Sequence, residues 1–153
     1  MSTGYFPSGF SSEARYVDES ARSGRRRLHE SNALGMGSTL TADLTAVWAS
    51  CREANWDGFD ALPVSEASLR NARLFLESMP MGIPAPSIGA EPDGALTLEW
   101  HHSTRRTLSV SVSHDGNLHY AALFGPSRVY GTEAFFGEAP ESILELIRRT
   151  FAA

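Results

Sequence analysis

Five side chains in this sequence are of the types that proton-transfer chemistry uses: Asp57, Asp60, Glu99, His101 and Arg105. Glu99 and His101 are two residues apart, and in an extended strand positions i and i+2 share a face. A carboxylate beside an imidazole would serve as an acid–base pair if a pocket covered that face. The surrounding pattern favours a plainer role. Leu96, Leu98 and Trp100 alternate with Thr97, Glu99 and His101, which puts the polar set on the solvent side of a half-buried strand. Asp57 and Asp60 bracket Gly58 and Phe59, and aspartates in such a stretch bond their own loop's N–H groups and make turns. No residue is therefore assigned a catalytic role.

Metal and cofactor chemistry has little to work with. The histidines are His29, His101, His102, His114 and His119. Adjacent His101 and His102 point to opposite faces of an extended chain and do not readily share one ion. Asp57-Gly58-Phe59-Asp60 lacks the alternating oxygen ligands and distal glutamate of a calcium loop. There is no phosphate-cradling glycine loop, nucleophile elbow or zinc spacing. The single cysteine, Cys51, falls on the apolar face of a helical pattern, where a thiol behaves as a small buried hydrophobe. No cofactor and no metal is expected.

These residues must be positioned by helices first and strands after. Leu40, Leu44, Val47, Trp48 and Cys51 recur at helical spacing and predict a helix over about Thr41–Ala54. Ser38 and Thr39 offer cap oxygens, and Asp43 is expected in the first turn. The stretch Asn55-Trp56-Asp57-Gly58-Phe59-Asp60-Ala61-Leu62-Pro63-Val64 then reads as a structured connection. Gly58 can take a positive φ, and Trp56 and Phe59 are large enough to pin the loop on a core. Ser65 should cap a second helix to about Ser78, with Leu69, Ala72, Phe75, Leu76 and Met79 inward and Pro80 as its stop. From Ser87 the period becomes twofold. Ser87–Ala90 and Ala95–His101 flank the turn Glu91-Pro92-Asp93-Gly94; Arg106–Ser113, Leu118–Phe124 and Arg128–Ala134 follow. Pro140 opens a last helix whose packing face is Ile143, Leu144, Ile147 and Phe151.

The expected fold is α+β: an antiparallel β-meander of four to five strands packed against two N-terminal helices and one C-terminal helix. Residues 1–37 read as a flexible N-terminal tail, rich in Ser, Gly and Arg, with residues 38–153 as one α+β domain. Tyr5, Phe6, Phe10 and Tyr16 give that tail aromatics that could dock, and Arg25-Arg26-Arg27 gives it a short basic run.

Charge separates the function classes further. All 13 basic residues are arginine, against 18 acids, and residues 37–153 alone carry −6. A domain of that sign is a poor candidate for generic phosphate-backbone binding. Hydrophobic content of 42% with 20% charged residues fits a soluble chain. With no apolar span, no signal-peptide start and one thiol, the expectation is cytoplasmic.

The loop Asn55–Pro63 and the strand Asp93-Gly94-Ala95-Leu96-Thr97-Leu98-Glu99-Trp100 together resemble a set of small uncharacterised bacterial proteins. Those carry an Asn-Trp-Asp-Gly-Tyr-Gly-Ala-x-Pro loop and an Asp-Gly-x-(Ile/Leu)-x-Leu-Glu-Trp strand. Phe59 and Asp60 here replace the Tyr and Gly of that pattern, and the resemblance covers roughly residues 45–125. It implies no activity. Such proteins are met on mobile elements and near phage-related genes, which implies an interaction role. In size, charge and missing motifs the chain is also similar to anti-CRISPR proteins, which bind a surveillance complex and block its DNA or nuclease contacts.

The expected function is a non-enzymatic, protein-binding inhibitor of a bacterial nucleoprotein defence complex, with no direct contact to nucleic acid or membrane. Asp57, Asp60, Glu91, Asp93 and Glu99 are the candidate partner-binding residues, since an acidic surface competes for a basic groove. The alternatives are an antitoxin or immunity partner of one cognate protein, and a hydrolase using the Glu99/His101 face. Three Trp and eight Phe are generous for one small core, so a homodimer is a further expectation.

Overall fold

The computed structural model describes residues 36–153. In order these form α1 (Met36–Cys51), α2 (Glu66–Glu77), β1 (Ser87–Ala90), β2 (Leu96–Ser103), β3 (Arg106–Val112), β4 (Asn117–Phe124), β5 (Ser127–Ala134) and α3 (Glu141–Phe151). The five strands form one antiparallel sheet in sequence order, a meander with every neighbour joined by a short connection. This is the α+β arrangement of sheet and helices that the sequence predicts. The expected tail, with Tyr5, Phe6, Phe10, Tyr16 and the Arg25–Arg27 run, lies outside the described residues except at its last two positions.

Alternation in β2, β3 and β4 divides the sheet into two faces. Leu96, Leu98 and Trp100 align with Leu108, Val110 and Val112, and these with Leu118 and Ala122. All are buried, with Leu44 and Phe75 of α1 and α2 and Ile143 and Ile147 of α3. Leaving a donor unpaired in that core would cost about 1–3 kcal/mol. The Trp100 indole avoids this by donating to the Pro84 carbonyl at 2.7 Å. The opposite face carries Thr97, Thr107, Ser109, Ser111 and Ala121, and none of these is buried. Short hydroxyl side chains suit a sheet surface that none of the described helices covers.

Each helix has a local cause. The Ser65 hydroxyl accepts from the Ser68 N–H at 3.1 Å, so α2 starts where a cap residue should start it. Pro140 lacks an N–H that the first turn of α3 could not have used. The start of α1 differs from expectation. It begins at Met36, so Ser38 and Thr39 are inside it and Asp43 is two turns in, not in the first turn. Several Ser and Thr in one helix blur the cap signal, because a hydroxyl can instead bond back along the helix. Thr45 does so to the Thr41 carbonyl at 2.9 Å, and Ser50 to that of Ala46 at 3.1 Å. α1 also ends at Cys51, before Ala54, since Asn55 turns left-handed at φ 61°. None of the described helices is long and apolar enough to cross a membrane.

Candidate functional site: a braced loop and turn

Between α1 and α2, residues 55–64 fold back on themselves. The Asn55 N–H donates to the Ala61 carbonyl at 2.8 Å, and the Asn55 side-chain oxygen accepts from the Asp60 N–H at 2.7 Å. One carboxylate oxygen of Asp57 accepts from the N–H groups of Phe59 (2.7 Å) and Ala61 (3.0 Å). Two indoles complete the frame. Trp56 donates to Leu62 at 2.9 Å, and Trp48 of α1 donates to Val64 at 3.0 Å. The Val64 N–H returns to the Cys51 carbonyl at 2.9 Å. Three residues are left-handed: Asn55, Gly58 (φ 80°) and Asp60 (φ 63°). Gly and Asn adopt such angles at low cost, and Asp at somewhat more.

The loop abuts the β1–β2 turn. The Leu62 N–H donates to the Pro92 carbonyl at 2.8 Å. Gly94 takes φ +93° with the Pro63 carbonyl 3.0 Å from where a Cβ would stand. The turn closes itself through Gly94 N–H to Glu91 (2.9 Å) and through the Ala95 N–H to the Asp93 carboxylate (3.0 Å). Two stretches some thirty positions apart in sequence thus become one surface.

That surface is apolar with acids beside it. Phe59 is 61% exposed and Leu62 58%, and Pro63, Pro92, Asp60 and Asp93 are exposed with them. The sequence predicts a Phe59 that pins the loop inward; the loop turns it outward instead. Asp57 occupies the buried position, at 6% exposure, because its carboxylate must reach two N–H groups inside the loop. Trp56 does pack on the core, partly buried. An Asp accepting from the N–H two residues on was the available signal: it fixes Asp57 inside and leaves Phe59 outside.

The five acids proposed for partner contact are therefore dispersed. Asp60 and Asp93 stand on the loop–turn surface, and Asp57 faces its own backbone. Glu91 is half-buried, and its carboxylate accepts from the hydroxyls of Thr97 (2.5 Å) and Ser111. Glu99 sits midway along β2 on the uncovered face, between Ser87 and Ser109.

The acid–base grouping does not gather at one point. Glu99 and His101 share the uncovered face as expected, while Arg105 is in the β2–β3 turn, at the opposite end of β2 from the loop that holds Asp57 and Asp60. His102 turns to the other side and meets the Phe151 ring edge-on at 5.7 Å. His119 pairs with the Thr132 hydroxyl at 2.9 Å. Among the described residues no three of His, Cys, Asp and Glu are grouped to hold a metal ion. Cys51 is buried beside the loop; burial, then the negative charge of Asp57, push its thiol up to about 11. It is a poor nucleophile there.

Charge is sorted along the strands. Asp60, Glu91 and Asp93 lie at the end of the sheet marked by the β1–β2 turn, as does Asp115 in the β3–β4 turn. Hydrogen bonds from Ser113 and from the Asn117 N–H hold the Asp115 carboxyl down at about 2. The far end carries Arg105, Arg106, Arg128 and Arg149. There Arg106 donates to the Ala152 carbonyl just past α3, and the Arg149 guanidinium lies 4.2 Å from the centre of the Phe124 ring.

A scan against protein-family models finds no match, and searches of curated proteins and of solved structures find none either.

Proposed function

We propose that this chain is a non-enzymatic protein-binding module that docks through the loop–turn surface, and that its partner is a bacterial nucleoprotein defence complex which it inhibits. One observation carries the proposal. Some eight hydrogen bonds and three left-handed residues hold residues 55–64 in one shape, and that shape displays Phe59 and Leu62 to solvent. A loop needed only to join two helices has no reason to fix apolar side chains outward. Rigid exposed aromatics lose little entropy when they anchor an interface. Asp60 and Asp93 beside them favour a partner with a basic rim around an apolar recess, as a groove built for nucleic acid presents.

The test compares tagged wild-type protein with Phe59→Ser and Asp60→Arg as baits in a bacterial lysate, with circular dichroism to confirm folding. A stoichiometric multi-subunit nucleoprotein complex held by wild type and lost from both variants supports the proposal. One small toxin held in the same residue-dependent way supports the antitoxin alternative instead. Retention unaffected by either substitution removes the loop–turn surface from the proposal. A bait that retains nothing directs attention to Glu99 and His101, with substrate turnover and its loss in Glu99→Gln as the measurement.

A further inference from the structure

Among the described residues, the last strand of the sheet has unused pairing capacity. β5 is eight residues long and contains no buried residue. Among the described residues it closes the strand order with β4 as its one strand neighbour, and no described helix packs closely along it. The other edge is better protected: β1 has four residues and lies against α1. Long uncovered edges are templates for further strands.

The ladder identifies the groups that face outward. The Phe135 N–H donates to the Gly116 carbonyl at 3.1 Å, one step beyond the Asn117–Ala134 pair. Hydrogen-bonded and non-bonded pairs alternate in an antiparallel ladder. Ser127, Val129, Gly131 and Glu133 therefore bond to β4, while Arg128, Tyr130, Thr132 and Ala134 direct their N–H and C=O groups to the open edge. By register the side chains of this second set lie on the uncovered face, with His119, Ala121 and Leu123.

We propose that β5 pairs antiparallel with β5 of a second copy of this chain, about a two-fold axis through Tyr130. That axis sets Arg128 opposite the partner's Thr132, and Tyr130 opposite the partner's Tyr130. Three hydrogen-bonded pairs form, with about six N–H···O=C bonds. The tyrosine, 77% exposed in one chain, meets its counterpart at the axis, where cross-strand aromatic pairs are favourable. Arg128 falls diagonally across from the partner's Tyr130 ring, within cation–π reach, and no like charges oppose each other. An axis one residue on, through Gly131, would lose the aromatic pair and set Val129 against the partner's Glu133. Of the usual edge defences β5 carries only the charge of Arg128 on its open side. It has no proline, the chain has no lysine, and its inward acid Glu133 accepts from the Ser142 hydroxyl at 2.7 Å.

The experiment is a mass measurement of the full chain by light scattering at roughly 10–100 μM, where strand-paired dimers of this size are populated. The expected mass is twice 16.6 kDa. Thr132→Pro removes an N–H that β4 does not use and that proline can forgo on an edge strand; it should raise the dimer Kd at least tenfold. Tyr130→Lys places two like charges at the axis and should do the same without altering backbone donors. Oxidation tests the register. Copies of residue 130 would have Cα atoms about 5.5 Å apart, within disulfide range, whereas copies of residue 128 would be offset by roughly 13 Å along the strands. Tyr130→Cys should cross-link to a dimer and Arg128→Cys should not, with the buried Cys51 silent in both. A full chain that stays at 16.6 kDa throughout overturns the proposal, as happens if an extended segment other than a second β5 already occupies the edge. So does a dimer that survives both Thr132→Pro and Tyr130→Lys with native circular dichroism.

Discussion

Replacing Asp57 by alanine withdraws the acceptor of two backbone N–H groups at once. The two losses differ in size. The Ala61 N–H belongs to a residue only 2% exposed, so it has no ready access to water; its bond to a carboxylate is worth about 1.5–3 kcal/mol. Phe59 is largely exposed, and its N–H regains water on a small loop movement, so that bond is worth about 0.5–1.5 kcal/mol. Together Asp57→Ala should cost about 2–4.5 kcal/mol. At about 4 °C per kcal/mol for a domain of this length, the melting point should fall by about 8–18 °C. Urea denaturation followed by circular dichroism measures the first figure and a thermal melt the second. Asp57→Asn keeps one acceptor oxygen without the charge and should lose roughly half as much.

A second readout separates this from a general loss of packing. The charge of Asp57 is the lesser of two causes that raise the Cys51 thiol. In Asp57→Asn the pH at which that thiol becomes reactive should fall from about 11 yet stay above the ordinary 9.0, because burial persists. If Asp57→Ala costs less than about 1 kcal/mol, the carboxylate does not organise the loop, and residues 55–64 must owe their shape to the packing of Trp48 and Trp56 instead.

Asp60→Gly relieves a left-handed residue, worth about 1–2 kcal/mol, and returns about 0.5–1 kcal/mol in unfolded-state entropy; the net should be stabilisation of up to about 1.5 kcal/mol in urea, and Asp60→Val should destabilise. Stability should fall in the alkaline range, since the Cys51 thiol stays protonated in the fold up to about 11 but ionises from about 9.0 once unfolded. Its contribution is complete below pH 9 and is lost at about 1.4 kcal/mol per pH unit up to 11; subtracting the same titration of Cys51→Ala isolates it. Gly131→Ala would bring a Cβ to 2.5 Å from the Tyr120 hydroxyl, so it should cost about 1–3 kcal/mol in a urea melt.

What was legible in the sequence is what repeats. In β2 and β3 the buried inward positions Leu96, Leu98, Trp100, Leu108, Val110 and Val112 are apolar and nearly every outward one is a hydroxyl or a charge, so period two gives strand and face together. The turn at Glu91–Gly94 was legible for a different reason, because proline and glycine restrict or permit specific backbone angles. The loop offered no period. Whether Asp57 or Phe59 faces inward depends on which can reach the Ala61 N–H, a question of three-dimensional distance and not of composition. β5 was visible only through the Gly125-Pro126 break before it, for its inward positions Val129, Gly131 and Glu133 do not form an apolar stripe. Gly131 is small because the Tyr120 ring lies across it, a cause that sits on the neighbouring strand and leaves no mark in the local pattern.

The loop–turn surface and the β5 edge belong to opposite margins of the sheet, and that separation bears on how both could act. The loop meets the β1–β2 turn, while β5 lies four strands further on, about 19 Å at the usual spacing. Pairing at β5 would therefore leave Phe59, Leu62, Asp60 and Asp93 uncovered. It would also place the two copies of that surface at the far margins of a ten-stranded sheet, nine spacings or about 43 Å apart across the strands before twist, and at opposite ends along them. Two weak sites held at a fixed separation bind a repetitive or symmetric target far more tightly than either does alone, provided the target's own spacing matches. A groove that presents the same basic rim at regular intervals is such a target. Edge pairing in this protein would then set the reach of the proposed docking, and the loop would set what it recognises.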